Sequence, residues 1–194
     1  MERNKPRKAQ RIPEVLTKEE IAALLAQPNP RYPTGLRNLC LMKVMLDAGL
    51  RASELLKLST HDIDWRSGKL KVVEGKGRKD RVLWINEDCL LLLRRWREVK
   101  PDSTTTLFTT LNGKPLIDRY LRAMVKRYSQ KAAIAKDVHP HMLRHTFATD
   151  LYSQTKNIRM VQKALGHSDL STTMIYTHVV DDEMEQAMRN FRKA

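Results

Sequence analysis

The residues best suited to chemistry in this chain fall in four short runs, each where a regular element gives way to a turn. The first is Gly49-Leu50-Arg51-Ala52-Ser53-Glu54-Leu55. A helix start exposes N–H groups that favour anions, so Arg51 beside them makes an anion site, with Glu54 one turn along to steady its guanidinium. The second is Gly75-Lys76-Gly77, followed by Arg78, Lys79 and Arg81. Flanking glycines permit positive φ and keep bulk away from an approaching partner, and the tip they frame is strongly positive. It is not a GxxxxGK[ST] nucleotide loop, because that spacing is missing. The third run, His139-Pro140-His141-Met142-Leu143-Arg144-His145, puts His141 and Arg144 three apart, on one helical face and within reach of one phosphate. In the fourth, Gly166 ends a helix and Ser168 or Asp169 caps the next, which holds His167 at the joint and Tyr176 at the far end.

Read singly, each run also has a plain structural explanation. Arg51 and Glu54 match an ordinary surface ion pair, the hairpin a solvated basic turn, and Tyr176 after Ile175 a core residue with a polar tip. Three histidines in seven residues raise the question of a metal. Arg144 among them would repel a cation, and the Glu of the zincin helix motif is absent. Taken together, the runs supply two guanidiniums, an ammonium, two imidazoles and a phenol. That set meets the needs of phosphoryl transfer without a metal: charge stabilised on nonbridging oxygens, a nucleophile deprotonated, a leaving oxygen protonated. Arginine suits the clamp because its fork fits phosphate and stays charged. A phenol with a free pKa of roughly 10 needs cations and a base nearby to attack at neutral pH.

Composition points the same way. The 194 residues carry 36 Lys+Arg against 22 Asp+Glu, a formal net charge of +14, which suits a polyanionic partner such as nucleic acid. Arg78, Lys79 and Arg81 are therefore read as DNA-binding residues. Cys40 and Cys89 lie far apart in apolar surroundings, with neither metal spacing nor a disulfide framework, and read as buried thiols in a reducing compartment. The basic N-terminus lacks the apolar run of a signal peptide, and the stretch Leu39 to Leu50 is too short and too charged to span a bilayer. The expectation is a cytoplasmic, nucleoid-associated protein that does not enter membranes.

The elements that must position these groups follow from pattern. Residues 1–13 form a basic, proline-containing linker or arm. Thr17 and Glu20 make a capping box for a first helix; PNPRYPTG reads as a loop; a second helix runs from about Leu36 to Ala48 and stops at Gly49. A short helix over ASELLKL follows. DIDW, KLKVVE and DRVLWI, separated by turn residues, predict a small three-stranded antiparallel sheet. Helices are predicted again over about 87–99, 117–135, 141–154, 158–165, 170–176 and 182–192. The fold class is mainly α with one small sheet.

GLRASEL, GKGRKDR, HMLRHTFAT and LGHSDLSTTMIYTH, in this order, resemble the tyrosine recombinase (phage integrase) family, nearest its Xer-type members, over about Val15 to Val179. The resemblance implies the catalytic-domain fold over 14–180. It implies that Arg51 and Arg144 clamp the scissile phosphate and that Lys76 protonates the leaving 5′ oxygen. His141 matches an acid/base position, His167 a phosphate-bonding position, Tyr176 the nucleophile and Glu54 a supporting acid. It implies site-specific recombination through a 3′-phosphotyrosyl link, with no cofactor, metal or ATP, on double-stranded DNA and within a homotetramer on DNA. Residues 181–194 are then a C-terminal helix, exchanged with a neighbouring protomer or docked on its own domain. Family members usually carry a further N-terminal helical domain of roughly one hundred residues, an ordinary domain size. Only the basic arm precedes the catalytic part here, as in an excised domain or a naturally small recombinase of the fimbrial phase-variation type. Two alternatives share much of the pattern. A type IB topoisomerase uses the same chemistry, but the LGH and HxLRH spellings favour a recombinase. A non-catalytic DNA-binding regulator would not need the full reactive set.

Overall fold

The computed structural model describes residues 13–73, 80–167 and 170–177. The basic arm before Pro13, the hairpin tip with Lys76, Arg78 and Lys79, the capping pair Ser168-Asp169 and the helix expected over 182–192 lie outside the described residues.

Helix α1 (Lys18–Leu25) begins at Thr17, whose side chain accepts from the Glu20 N–H at 3.2 Å while Glu20 accepts from the Thr17 N–H at 2.8 Å. This is the capping box the sequence predicts, and it satisfies two otherwise unpaired donors. Helix α2 (Pro33–Ala48) starts three residues before the expected Leu36. Pro33 occupies the first turn, where a missing N–H costs nothing, so part of the expected loop is helical. Helix α2 ends at Gly49 in the left-handed conformation, φ 58°. Helix α3 (Ala52–Lys57) then follows at once.

The sheet is smaller than the pattern predicts. Among the described residues β1 (Lys69–Val72) pairs antiparallel with β2 (Arg81–Trp84), Val72 opposite Arg81, and the sheet has two strands. The third expected strand, DIDW, contributes only a bridge between Ile63 and Leu70. Its aspartates bind backbone locally: Asp62 accepts from the Ser59 N–H at 2.8 Å and Asp64 from the Arg66 N–H at 2.9 Å. Two side-chain-closed turns leave one residue between them for a ladder.

Helix α4 (Glu87–Val99), capped by Asn86, buries Cys89, Leu90, Leu93 and Trp96 as one stripe against α2. Cys40 and Cys89 are free and buried there, as read from the sequence. Helix α5 (Asp118–Lys131) ends before the expected residue 135, because Ala133 turns the chain with φ 54°. Helices α6 (Pro140–Thr155) and α7 (Ile158–Leu165) complete the regular part. The segment expected as a helix over 170–176 is two 3-10 turns, Leu170–Thr172 and Met174–Tyr176.

Helix α6 organises the molecule. One side, with Met142 and Leu143, joins the main core of α2, α4 and α5. The other, with Ala148 and Tyr152, joins Val161, Leu165 and Tyr176 in a satellite core, and Phe147 and Leu151 border both. Each fully buried leucine in the main core contributes roughly 1.5–3 kcal/mol, so that core makes a rigid wall. The satellite core, far smaller, carries the tyrosine.

Candidate active site

Gly49 sets the first corner. Its left-handed φ favours glycine, and a Cβ there would lie 2.1 Å from the Phe147 ring of α6. The tight turn delivers Arg51 to the start of α3, where Glu54 receives it twice: Oε1 accepts from Nη1 at 2.6 Å and Oε2 from the backbone N–H at 2.7 Å. The Arg51–Glu54 contact expected from the one-turn spacing is present. The free N–H groups expected at this helix start are in part occupied by that carboxylate.

Arg144 lies on α6 with its side chain turned inward, 5% exposed. Nη1 donates to the Gly49 carbonyl at 2.6 Å and Nη2 to the Leu165 carbonyl at 2.7 Å, while Glu54 lies 3.8 Å away. Burial, then the charge of Arg51, lowers its pKa to about 10, so it stays cationic at neutral pH.

Helix α7 ends at Gly166, φ 64°, and the chain turns into His167. The His167 Nε2 is 3.3 Å from Nη2 of Arg144, and Nδ1 is 3.0 Å from Oγ1 of the buried Thr173. Arginine can only donate, which makes Nε2 the acceptor and puts the ring proton on Nδ1, donating to Thr173. Burial and the flanking arginines Arg144 and Arg51 lower its pKa to about 4, so the ring is neutral.

Tyr176, 2% exposed, closes the second 3-10 turn. Its hydroxyl lies 2.7 Å from Nδ1 of His145. Burial pushes the phenol up to about 12 and the His145 imidazole down to about 4, so the proton stays on the tyrosine and the ring accepts. Residue type and spacing alone give His145 no role. The signal was present: residues 145, 148 and 152 form one helical stripe, and Ala148 and Tyr152 pack against Tyr176.

Arg51, Glu54, Arg144 and His167 therefore meet through direct contacts, and Tyr176 joins them through His145, the neighbour of Arg144. His141 does not enter this network. It is exposed on the first turn of α6, its ring edge-on to His139 at 6.4 Å, with a pKa lowered by partial burial and by His139. Arg81 requires a correction. Expected on a DNA-facing tip, it is 6% exposed at the first position of β2. Its fork grips Glu54 at 3.0 and 2.8 Å, and its Nε donates to the Ala164 carbonyl at 2.8 Å. It points inward because Val72, its partner across the ladder, is also on the buried face. Among the described residues no three His, Cys, Asp or Glu side chains are grouped to hold a metal, and no helix is long and apolar enough to cross a membrane.

Residues 14–183 match the phage integrase family. The chain is 35% identical over 192 residues to the tyrosine recombinase XerD of Staphylococcus saprophyticus, covering 96% of this chain and 65% of that protein. The fold superimposes on the XerA recombinase with a TM-score of 0.82, at 28% identity, over 96% of this chain and 68% of that one. It superimposes on the XerH site-specific recombinase, solved with a palindromic difH substrate after cleavage, with a TM-score of 0.79 and 31% identity, over 95% and 54% of the two chains.

The chain belongs to the phage integrase (tyrosine recombinase) family. It spans 58–65% of the length of three curated XerD relatives that it matches. The two-stranded sheet set among helices is the catalytic-domain architecture of this family, and the resemblance drawn from the four motifs extends through the matched region. Within it, Arg51 and Arg144 come together at one carboxylate, Glu54, and one helix end, that of α7.

Proposed function

We propose that this chain is the catalytic part of a site-specific recombinase that cuts and rejoins double-stranded DNA through a 3′-phosphotyrosyl intermediate. The observation that carries this reading is the meeting of Arg51, Arg144 and His167 at the C-terminal end of α7, beside a tyrosine bound to the residue next to Arg144. Arg51, the more open of the two arginines, and Arg144 take the nonbridging oxygens of the phosphate, with His167 bordering them. The Tyr176 oxygen forms a bond to phosphorus, the bond to the 5′ oxygen breaks, the phenol gives up its proton and the leaving oxygen gains one. Lys76 is the donor to that oxygen, and His141 serves as acid or base at the open edge. One phosphodiester replaces another, so the step needs no ATP, and the guanidiniums supply the positive charge.

The resting arrangement of Tyr176 has a consequence for this mechanism. Its hydroxyl is protonated, covered and turned to His145, so attack requires that hydrogen bond to be exchanged for the phosphate. The exposed face of α5, with Arg119, Arg122, Lys126 and Lys131, adds a basic track for the DNA backbone, together with Arg78 and Lys79 on the hairpin. Assembly as a tetramer on DNA, with 181–194 reaching a neighbouring protomer, and action in the cytoplasm at the nucleoid belong to the same proposal.

The test is covalent trapping on a nicked duplex from which the cleaved strand fragment diffuses away. The unaltered chain is expected to accumulate a protein–DNA adduct. Tyr176→Phe, which removes only a hydroxyl, is expected to form none while still binding DNA. An adduct of undiminished yield in the Phe variant would place the nucleophile elsewhere, and relaxation of supercoiled DNA without strand exchange would mark a topoisomerase.

A further inference from the structure

Three consecutive carbonyls at the end of α7 accept from three different arginines. Ala164 receives Arg81 at 2.8 Å, Leu165 receives Arg144 at 2.7 Å and Gly166 receives Arg51 at 3.2 Å. The C-terminal end of a helix carries partial negative charge, which is what draws cations to such a place. The same three guanidiniums also surround one carboxylate, Glu54, with nearest contacts of 2.6 Å to Arg51, 2.8 Å to Arg81 and 3.8 Å to Arg144.

The three differ in what their forks do. Arg81 spends both Nη atoms on Glu54 and its Nε on α7. Arg144 spends its two Nη atoms on main-chain carbonyls and only borders the carboxylate. Arg51 is the most open, its side chain 22% exposed against 5% for Arg81. Glu54 and Arg81 thus form a close-to-neutral, bidentate pair, and two positive charges remain for Arg51 and Arg144. A phosphodiester carries one negative charge and gains a second as an anionic nucleophile adds, so two uncancelled cations are what the transition state needs.

We propose that Arg81 is a positioning residue of the cleavage site. It saturates Glu54 and ties it to the end of α7, so that the carboxylate holds Arg51 and Arg144 in register without cancelling their charge. Arg81 does not touch the phosphate. It also fixes the first residue of β2 to the carboxylate that holds Arg51. The inference rests on the recombinase reading for its catalytic consequence, and on geometry alone for its structural part.

The experiment uses the full chain with Arg81→Gln and Arg81→Lys, the lysine keeping the charge but losing the fork. Melting curves first set an assay temperature at which the variants are folded; if the Gln variant is not, the Lys variant carries the test. Single-turnover adduct formation at saturating nicked duplex is expected to fall roughly 100-fold for Gln and about 10-fold for Lys, the scale of a misaligned but intact clamp. DNA affinity and its salt dependence are expected to stay unchanged. A salt slope shallower by about one, with an unaltered saturating rate, would make Arg81 a phosphate contact and overturn the proposal. A lower melting temperature with both rate and slope unchanged would overturn it as well, leaving a residue of the fold only. The second readout needs no cleavage: the side-chain Nε–H resonances of Arg51 and Arg144, in protein without DNA, are expected to shift in Arg81→Lys. Unmoved resonances would overturn the positioning role, whereas an unaltered chain that forms no adduct would sink the recombinase reading and leave this measurement standing.

Discussion

The two halves of the candidate site are built differently. The arginine half is cross-braced: α3, β2, α6 and the end of α7 are tied by hydrogen bonds spanning 21 to 115 residues of sequence, which end on Glu54, on the carbonyls at the end of α7 and on the Gly49 carbonyl. The tyrosine half consists of two 3-10 turns on a five-residue satellite core, with His145 as the polar link from α6 to the phenol. A cationic pocket preorganised in this way costs nothing to assemble when phosphate arrives. A nucleophile on a short, weakly buttressed segment can be withheld or offered at low cost. In the reaction proposed above, the braced half holds the charge and the short 3-10 segment holds the nucleophile.

Breaking the arginine half should have the largest effect on stability. Glu54→Gln leaves three guanidiniums without their shared anion, and about 3–5 kcal/mol of stability should be lost, as when one partner of a buried ion pair is removed. Denaturant unfolding at neutral pH measures it. A pH series sharpens the point. Burial opposes ionisation of Glu54, but the hydrogen bonds and charges of Arg81 and Arg51 hold its pKa at about 2, below the ordinary 4.5. With the folded pKa depressed, its stabilisation is fully present above about pH 4.5 and is lost as pH falls towards 2. The unaltered chain should therefore show an acid-labile limb in that window that Glu54→Gln lacks; parallel curves would mean the carboxylate is not held this way.

Breaking the tyrosine half should cost less. His145→Ala removes the acceptor of a buried hydroxyl, a loss of about 1–3 kcal/mol. Because the arginine network uses none of the His145 atoms, noncovalent DNA affinity should be unaffected, which a gel-shift titration beside the unfolding curve would check. A fall in affinity equal to that of Arg51→Ala would show that the halves are not separable. The smallest effect belongs to a site in neither half. Ala133 holds φ 54° at an exposed turn after α5. Ala133→Gly should raise stability by a few tenths to about 1 kcal/mol, the relief of a left-handed Cβ less the added chain entropy of glycine. No gain in the unfolding midpoint would contradict it.

Much of the arrangement is legible in local sequence. The capping box at Thr17 and Glu20, the stop at Gly49, the spans of α3, α4 and α7 and the Arg51–Glu54 pair all come from rules acting over a few residues, and the structure keeps them. The departures have local causes of a different kind. Asp62 and Asp64 closed turns where alternation suggested a strand, and Ala133 took a conformation that its type does not advertise.

What the sequence by itself determined is the set of reactive groups, their order, the surplus of positive charge and most helix ends, because each follows from residue type and short spacing. What only the tertiary structure decided is which of those groups meet. Arg81 and Arg78 read alike on a basic hairpin. The ladder that puts Val72 on the buried face carries Arg81 inward to Glu54 with it. His145 shares a motif with His141 but has no role by residue type and spacing, until the satellite core sets Tyr176 beside it. The reason is physical: the worth of a charge or an imidazole depends on its burial and its partners, and those are supplied by elements distant in the chain.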